Sequence, residues 1–246
     1  MCVHLRSAQI AAVLLLICLL PSHGQKATPA KGNSRVFESR LVTDEVVKDN
    51  PFSAEGVSEV TQTLSDGTTR SRKITTHLYR SGDGRLRHEE NVISAKGIWD
   101  DAGSQLRRIS VFDPSSRNGF VLDPQQMLVM RYTAGKSMPI PENLPGLKTE
   151  SLEPQVLEGL TIQGTRRTKV IPAGDTGNAQ PFEIVDESWY SPDLHVVLMT
   201  KHSEPRTGNV VYQLTHIDRS EPPADLFEVP PGYRAVGTGS KKNGKR

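Results

Sequence analysis

Short runs of β-branched and apolar residues, each ended by a turn signal, follow one another along most of this 246-residue chain. One such run, Val57 to Leu64, stops at Ser65-Asp66-Gly67, where the Asp-Gly pair supplies the positive φ that a tight hairpin requires. A return run begins at Thr68. Because short links of this kind join antiparallel neighbours, the pattern predicts an antiparallel meander.

The predicted fold is mainly β, a large curved antiparallel sheet in the form of a half-barrel-like meander with few short helices. Gly, Pro, Asp and Ser mark its turns, since these residues favour the backbone angles that turns need. The predicted strands are Val57–Leu64, Thr68–Arg80, Arg85–Ile93, Arg107–Phe112, Phe120–Leu122, Met127–Tyr132, Leu160–Ile171, Phe182–Tyr190, Leu194–His202 and Asn209–Ile217.

Two further stretches have helical character. Pro222–Phe227 is predicted to be a proline-led helical turn that holds Leu226 and Phe227 against the sheet. Phe37–Val47 is the one region that could hold a helix of normal length, but the spacing of its apolar residues fits a helix poorly and a strand about equally well.

The segment Ala134–Pro154 differs from its surroundings in its prolines, such as those of Met138-Pro139-Ile140-Pro141. Proline fits neither a central strand nor a helix interior. We expect a long surface loop or crossover here, one that covers a groove as a flap. A domain boundary is the alternative.

The first 24 residues have the three-part pattern of an export signal. Arg6 supplies the positive n-region, Ile10–Leu20 the apolar h-region, and Ser22-His23-Gly24 a small-x-small site. We expect cleavage between Gly24 and Gln25, which places the mature protein in the periplasm or outside the cell.

A membrane anchor and a lipoprotein are the alternatives to a cleaved signal. An anchor needs about 20 apolar residues, and Pro21 ends this run well short of that length. A lipoprotein would use Cys18, but Ile17 is too bulky for the position before a lipidated cysteine. We therefore expect no transmembrane anchor after processing, and the expected domains are a signal peptide (1–24), a single β-rich domain (25–236) and a disordered basic tail (237–246).

Both cysteines, Cys2 and Cys18, lie inside the leader. The mature chain therefore has no thiol, which excludes a thiol nucleophile, a thiolate metal site and a disulfide framework. The whole chain has 30 basic and 28 acidic residues and a net charge of +2, a balance that gives no electrostatic case for nucleic acid.

No catalytic or metal motif stands out in the sequence. A Gly-x-Ser-x-Gly elbow is absent, and His88-Glu89-Glu90 lacks the second histidine of a zinc protease. We therefore expect neither an enzyme, nor a metal site, nor a cofactor; a serine, histidine and acid assembled from distant residues is the alternative. The histidines beyond the leader are His77, His88, His195, His202 and His216.

Several arginines cluster on one predicted hairpin. Arg70, Arg72 and Arg80 share parity and would line one face of a strand, with Arg85 and Arg87 on the next strand. The prediction is a solvated outer face balanced by nearby glutamates, and the alternative is a site for phosphate or lipid head groups.

Two C-terminal strands are apolar on both parities, at Val196–Met199 and at Val210-Val211-Tyr212. A half-solvated strand alternates, so unbroken apolar runs indicate that both faces are covered. Either the Ala134–Pro154 segment covers them, or they line a concave apolar groove. In the second case the candidate ligand-binding residues are Val196, Leu198, Val210, Tyr212 and Trp189.

Short motifs occur along the chain at Leu78-Tyr79-Arg80, Gly82–Arg85, Gly164–Thr168, Ile171–Gly174, Gly177-Asn178, Trp189–Leu194 and Leu226–Tyr233. They resemble those of a group of uncharacterised exported bacterial proteins. More distantly, the strand-rich layout and the ending Phe-x-Val-Pro-x-Gly-Tyr are similar to periplasmic lipoprotein carriers and outer-membrane lipoprotein-sorting proteins. That second resemblance implies a curved antiparallel sheet that half closes around helices and accepts acyl chains.

Two functions follow as hypotheses. The first is an envelope protein that binds a hydrophobic or lipid-like ligand, such as a lipid or a lipoprotein acyl chain, on its curved sheet. The second is a protein-interaction or stress-sensing module, which captures an extended peptide of an envelope protein along a sheet edge.

Overall fold

A computed structural model describes residues 45–64, 66–92, 106–135 and 146–236. The described residues all belong to one compact unit of the chain. The expected signal peptide with its cleavage site at Gly24 and Gln25, most of Phe37–Val47, and the basic tail 237–246 lie outside the described residues.

Strands dominate the described part of the chain, which confirms the mainly β prediction. The one helical element described is a single 3₁₀ turn, Ala224–Phe227, led by Pro223 as expected. The strands are β1 (Phe52–Thr63), β2 (Thr69–Arg80), β3 (Leu86–Val92), β4 (Leu106–Asp113), β5 (Asn118–Asp123), β6 (Leu128–Thr133), β7 (Leu147–Leu157), β8 (Leu160–Ile171), β9 (Phe182–Ser191), β10 (Val196–Glu204), β11 (Gly208–Asp218) and β12 (Arg234–Ala235).

The described strands form one open, curved sheet in the order β12-β6-β5-β4-β3-β2-β1-β11-β10-β9-β8-β7. It consists of two antiparallel meanders, β1 to β6 and β7 to β11, which meet where β1 pairs with β11. The short β12 returns along β6 in the parallel sense. The predicted curved antiparallel sheet is therefore confirmed.

Several hairpins of the described sheet share one turn chemistry, a capping residue followed by proline and closed by a residue of positive φ. In the first, the Arg117 amide donates to the Asp113 carbonyl at 2.8 Å, and the Asp113 carboxylate accepts from the Ser115 amide at 2.8 Å. Proline presets its own φ and the capping oxygen satisfies amides that the turn leaves free. The turns Asp123–Met127 and Ser191–His195 share this capping, and in Glu204–Gly208 the Glu204 carboxylate accepts from the Thr207 hydroxyl instead.

Aromatic rings from neighbouring strands cover glycines in the middle of strands. A Cβ on Gly119 would meet the Tyr132 ring at 2.6 Å, and one on Gly164 would meet Trp189 Nε1 at 2.6 Å. Glycine bends a strand and leaves a gap in its face, which the ring fills. These pairs are part of what allows so long a sheet to curve.

Hydrophobic clusters lie on opposite faces of the sheet at β2. The first cluster includes Leu78 and residues of β1 and β8 to β11, whereas Tyr79 packs against the second, which joins β4, β5 and β6 to Phe227. Consecutive residues of a strand point to opposite faces. The 3₁₀ turn thus lies over the second cluster, as the prediction for Phe227 required.

The loop predicted for Ala134–Pro154 is wrong in its second half, because β7 begins at Leu147 and pairs with β8 along its length. Pro154 is tolerated because β7 is an edge strand and its register with β8 shifts between Leu152 and Gln155. Residues 136–145 of the predicted loop lie outside the described residues.

A β-bulge accounts for the apolar run of β10. The register between β10 and β9 shifts between Val197 and Met199, and Leu198 and Met199 are both buried although they are consecutive. Two consecutive residues facing one partner break the alternation of faces.

The predicted solvated face of arginines is wrong for two of its members. Arg80 is buried, donates to the backbone carbonyls of Asn50 at 2.8 Å and Leu194 at 2.6 Å, and stacks over the Phe52 ring. Burial lowers the pKa of Arg80 to about 10. Arg87 is buried on the opposite face. Hydrogen bonds to backbone carbonyls, together with the Phe52 ring for Arg80 and the Glu89 carboxylate for Arg87, replace the water contacts of a solvated face.

Candidate functional site

A half-open pocket of about 560 Å³ lies between β4 to β6 and the 3₁₀ turn. Pockets for small ligands commonly have volumes of about 300 to 1,000 Å³, so this one is large enough for a small organic molecule. It is lined by Arg85, Val111, Asp113, Ser116, Asn118, Gly119, Phe120, Arg131, Tyr132, Thr133 and Phe227.

The apolar lining of the pocket belongs to the second hydrophobic cluster. Val111 and Phe120 lie opposite each other on β4 and β5, and both are buried. Phe227 reaches them from the 3₁₀ turn and is also buried. The wall is therefore fixed by the packing of the protein itself and does not require a ligand to form it.

Arginines stand over two of these aromatic rings. The Arg131 guanidinium carbon lies 5.8 Å from the centre of the Phe120 ring, and that of Arg85 lies 5.2 Å from the centre of the Phe227 ring. Guanidinium groups stack on aromatic faces and bind carboxylates and phosphates through paired N–H donors. The pocket thus combines an apolar wall with two cations.

The two cations differ in how far they are neutralised. Arg85 forms ion pairs at 2.9 Å with both Asp83 and Glu228; burial works against the charged form, but hydrogen bonds to these carboxylates outweigh it and raise the Arg85 pKa. Among the described residues, Arg131 has no carboxylate partner within ion-pair distance, and its side chain is exposed. Arg131 is therefore the cation that an incoming anion can reach.

Polar groups at the rim are engaged with one another. The Asp113 carboxylate accepts from the Ser116 hydroxyl at 2.7 Å, and Thr133 donates to the Asn118 amide oxygen at 2.8 Å. Burial works to raise the pKa of Asp113, but hydrogen bonds from Ser115 and Ser116 hold it below its usual value. The Asp113 carboxylate therefore stays ionised, and its oxygens are already hydrogen-bonded to neighbouring residues.

The chemistry of the lining suits binding. Its residues include neither histidine, cysteine nor lysine, and burial raises the pKa of Tyr132, so this phenol stays protonated near neutral pH. Among the described residues no cluster of three or more His, Cys, Asp or Glu side chains could hold a metal ion. The pocket can hold an apolar group on its wall and an anionic group at Arg131.

The predicted ligand-binding residues lie elsewhere in the sheet. Trp189, Val196, Leu198 and Tyr212 are brought together in the first hydrophobic cluster and are buried there. Val210 is half-buried on β11. None of the five lines the described pocket, and their role in binding stays a prediction.

Sequence reasoning missed the pocket because register creates it. Phe120 and Arg131 become neighbours only when β5 pairs with β6, and Phe227 joins them from a distant part of the chain. Register also places His202 opposite Asp186, with His202 Nδ1 2.7 Å from an Asp186 carboxylate oxygen. The one signal for the pocket in the sequence was the predicted packing of Phe227 against the sheet.

Comparison with known proteins gives likeness in fold only. No family model matches the chain, and no curated protein matches it significantly. An uncharacterized conserved protein from Thermus thermophilus has a similar structure, with 9% identity and a TM-score of 0.45 over 83% of this chain and 99% of its own.

Two other solved structures are similar in the same distant sense. MucB of Pseudomonas aeruginosa, in its complex with MucA, matches 83% of this chain and 64% of its own at 13% identity and a TM-score of 0.41. A LolA-superfamily protein from Nitrosomonas europaea matches 79% of this chain and 96% of its own at 8% identity and a TM-score of 0.33. The expected distant resemblance to lipoprotein-sorting proteins is confirmed at the level of fold.

Within the described ranges, no helix combines the length and apolar character needed to cross a membrane.

Proposed function

We propose that this chain is an exported, non-catalytic envelope protein that binds a hydrophobic or lipid-like ligand with an anionic group. The observation that carries the proposal is the pocket beside the 3₁₀ turn, where Arg131 stands over Phe120 without a carboxylate partner among the described residues. The apolar part of the ligand lies against Val111, Phe120 and Phe227, and its anionic group lies at Arg131.

The electrostatics of the pocket favour an anionic amphiphile over a neutral one. Arg85 already has two carboxylate partners, so a further anion gains most at Arg131. An ion pair at an exposed arginine contributes up to about 1 kcal/mol, which is enough to favour a carboxylate over an alcohol with the same chain. The predicted export signal supports this proposal, since a cleaved leader would bring the protein to where envelope lipids and their fatty acids occur.

Calorimetric titration of the purified, delipidated protein with dodecanoate and with dodecanol tests this proposal. We expect dodecanoate to bind more tightly than dodecanol, and Arg131→Gln to weaken dodecanoate binding about three- to fivefold, equivalent to up to about 1 kcal/mol. Arg219→Gln is the matched control, since Arg219 is an exposed arginine outside the pocket.

The outcomes separate the function from the site. If neither probe binds the wild-type protein, the ligand-binding function is wrong. If dodecanoate binds equally well to the wild-type protein and to Arg131→Gln, the ligand lies elsewhere, and the predicted residues on β9 to β11 become the next candidates.

A further inference from the structure

Charged side chains of alternating sign form a row across β7 to β10. Glu150 of β7 lies opposite Arg166 of β8, and Arg166 lies opposite Glu187 of β9, with an N–O distance of 2.5 Å. Glu187 in turn lies opposite Lys201 of β10. Each member of the row thus has a residue of opposite charge beside it on a neighbouring strand. Opposite charges on directly facing residues stabilise a sheet.

The row stops at an open edge of the sheet. Among the described strands β7 pairs with β8 alone, and most of its residues are exposed. Glu150 therefore has a charged cross-strand neighbour on one side only. An unpaired edge of this length presents backbone N–H and C=O groups that another strand can pair with.

Lys148 makes β7 complementary to itself. Its Nζ lies 2.9 Å from a Glu150 carboxylate oxygen, and the two side chains are 70% and 40% exposed. Residues two apart on a strand share a face. If two β7 strands run antiparallel about a two-fold axis at Thr149, each Glu150 faces Lys148 of the other copy.

We propose that β7 pairs with β7 of a second copy of this chain, antiparallel and centred on Thr149. In this pairing Lys148 of the second copy lies opposite Glu150, across the seam between the two β7 strands. The row of alternating charges therefore continues from one copy into the other. The pairing also engages the open backbone groups of the Leu147–Leu152 stretch. Pro154 and the bulge beside it, between Leu152 and Gln155, limit the seam at its far end.

The symmetry of this pairing makes the assembly a closed dimer. A two-fold contact uses the same surface on both copies and leaves no further copy of that surface free. The opposite edge of the sheet does not repeat it, because β12 runs along part of β6 there. The seam is narrow, and interfaces much smaller than about 1,200 Å² are typical of weak complexes.

Sedimentation velocity of the purified full-length protein, from about 1 to about 200 µM to cover weak association, tests the proposal. We expect a concentration-dependent dimer. Lys148→Glu places like charges opposite each other across the seam, as does Glu150→Lys, and each is expected to raise the dissociation constant at least about tenfold. The double variant Lys148→Glu/Glu150→Lys restores both opposite-charge contacts and is expected to recover association.

Lys73→Glu on β2 is the matched control, since it makes the same charge change at an exposed position away from β7. Circular dichroism of every variant checks that the sheet remains folded. Hydrogen exchange provides an independent readout: the amides of Leu147–Leu152 are expected to exchange more slowly at high protein concentration.

Three results would overturn the proposal: a wild-type protein that stays monomeric throughout, single variants that associate like the wild type, or a double variant as weak as the single ones. Wild-type monomers whose β7 amides are protected only by an extended peptide of another protein would assign the edge to a different partner and also contradict it.

Discussion

Arg87 forms a buried ion pair with Glu89 and also binds the 3₁₀ turn, 139 positions further along the chain. Its guanidinium forms an ion pair with Glu89 at 2.6 Å, where the two side chains are only 8% and 5% exposed, and donates to the backbone carbonyl of Leu226 in the 3₁₀ turn. Burial lowers the pKa of Arg87. The pair therefore fixes the position of the turn that carries Phe227 into the pocket.

Removing one member of this pair should be costly. Glu89→Gln leaves Arg87 charged and buried, and we expect a loss of about 3 to 5 kcal/mol in the free energy of unfolding. The double variant Arg87→Met/Glu89→Leu removes both charges and should be less destabilised than the single variant. Urea denaturation measures both, and a double variant as unstable as Glu89→Gln would contradict this account.

The glycines beneath aromatic rings should not tolerate a methyl group. A Cβ on Gly164 would lie 2.6 Å from Trp189 Nε1 and 2.8 Å from the Leu152 Cβ, so Gly164→Ala is expected to cost about 1 to 3 kcal/mol through overpacking. Gly135→Ala is the control, because among the described residues no atom beyond its chain neighbours lies within 4 Å of a Cβ there. Thermal unfolding should separate the two variants, and equal stability would show that Trp189 moves aside freely.

The Asp113 cap predicts a dependence of stability on pH. Hydrogen bonds hold its folded pKa below the usual value, despite the opposing effect of burial. The carboxylate therefore stabilises the protein above the pKa of the unfolded chain, and this contribution is lost as the pH falls through the folded value. We expect Asp113→Ala to be about 1 kcal/mol less stable than the wild type near pH 7, and the difference to shrink in acid.

Asp193→Ala is the comparison for that experiment, because Asp193 is an exposed aspartate in the related turn of β9 and β10, where the Ser191 hydroxyl provides the capping oxygen. Urea denaturation over a series of pH values gives the difference for each variant. A difference for Asp113→Ala that is constant from neutral to acid pH would rule out the carboxylate as its source.

The export prediction is tested at the N-terminus of the protein. Expression of the full chain with its leader, followed by N-terminal sequencing of protein from the periplasm or medium, should give a chain that begins at Gln25. An uncleaved chain or one retained in the cytoplasm would contradict it, and a chain lipidated at Cys18 would show the lipoprotein alternative to be right.

The sequence predicts those parts of the fold that local chemistry determines. Leu160–Ile171 is predicted and found with the same bounds, because clear turn signals flank a β-branched run. The strand at β7 was missed because an edge strand with both faces exposed has no apolar alternation, and because Pro154 is normally evidence against a strand. Proline at a bulge in an edge strand is an exception, because the strand can continue past it.

Burial of charge could not be predicted from neighbouring residues. Arg80 is held by carbonyls of Asn50 and Leu194, and Leu194 lies in the second meander. The pocket depends in the same way on the pairing of β5 with β6 and on Phe227. Such contacts require the register of the whole sheet, which no local pattern contains.

The pairing of β1 with β11 has a consequence for how the chain folds. Within each meander every strand pairs with its neighbour in sequence, so short loops close quickly, whereas the contact between Thr215 and Glu55 joins residues 160 positions apart. Closing such a long loop is slow, so the halves should form first and dock afterwards. Because the first hydrophobic cluster and the hydrogen bond from Arg80 to Leu194 also cross this line, the two meanders should unfold together once they have docked.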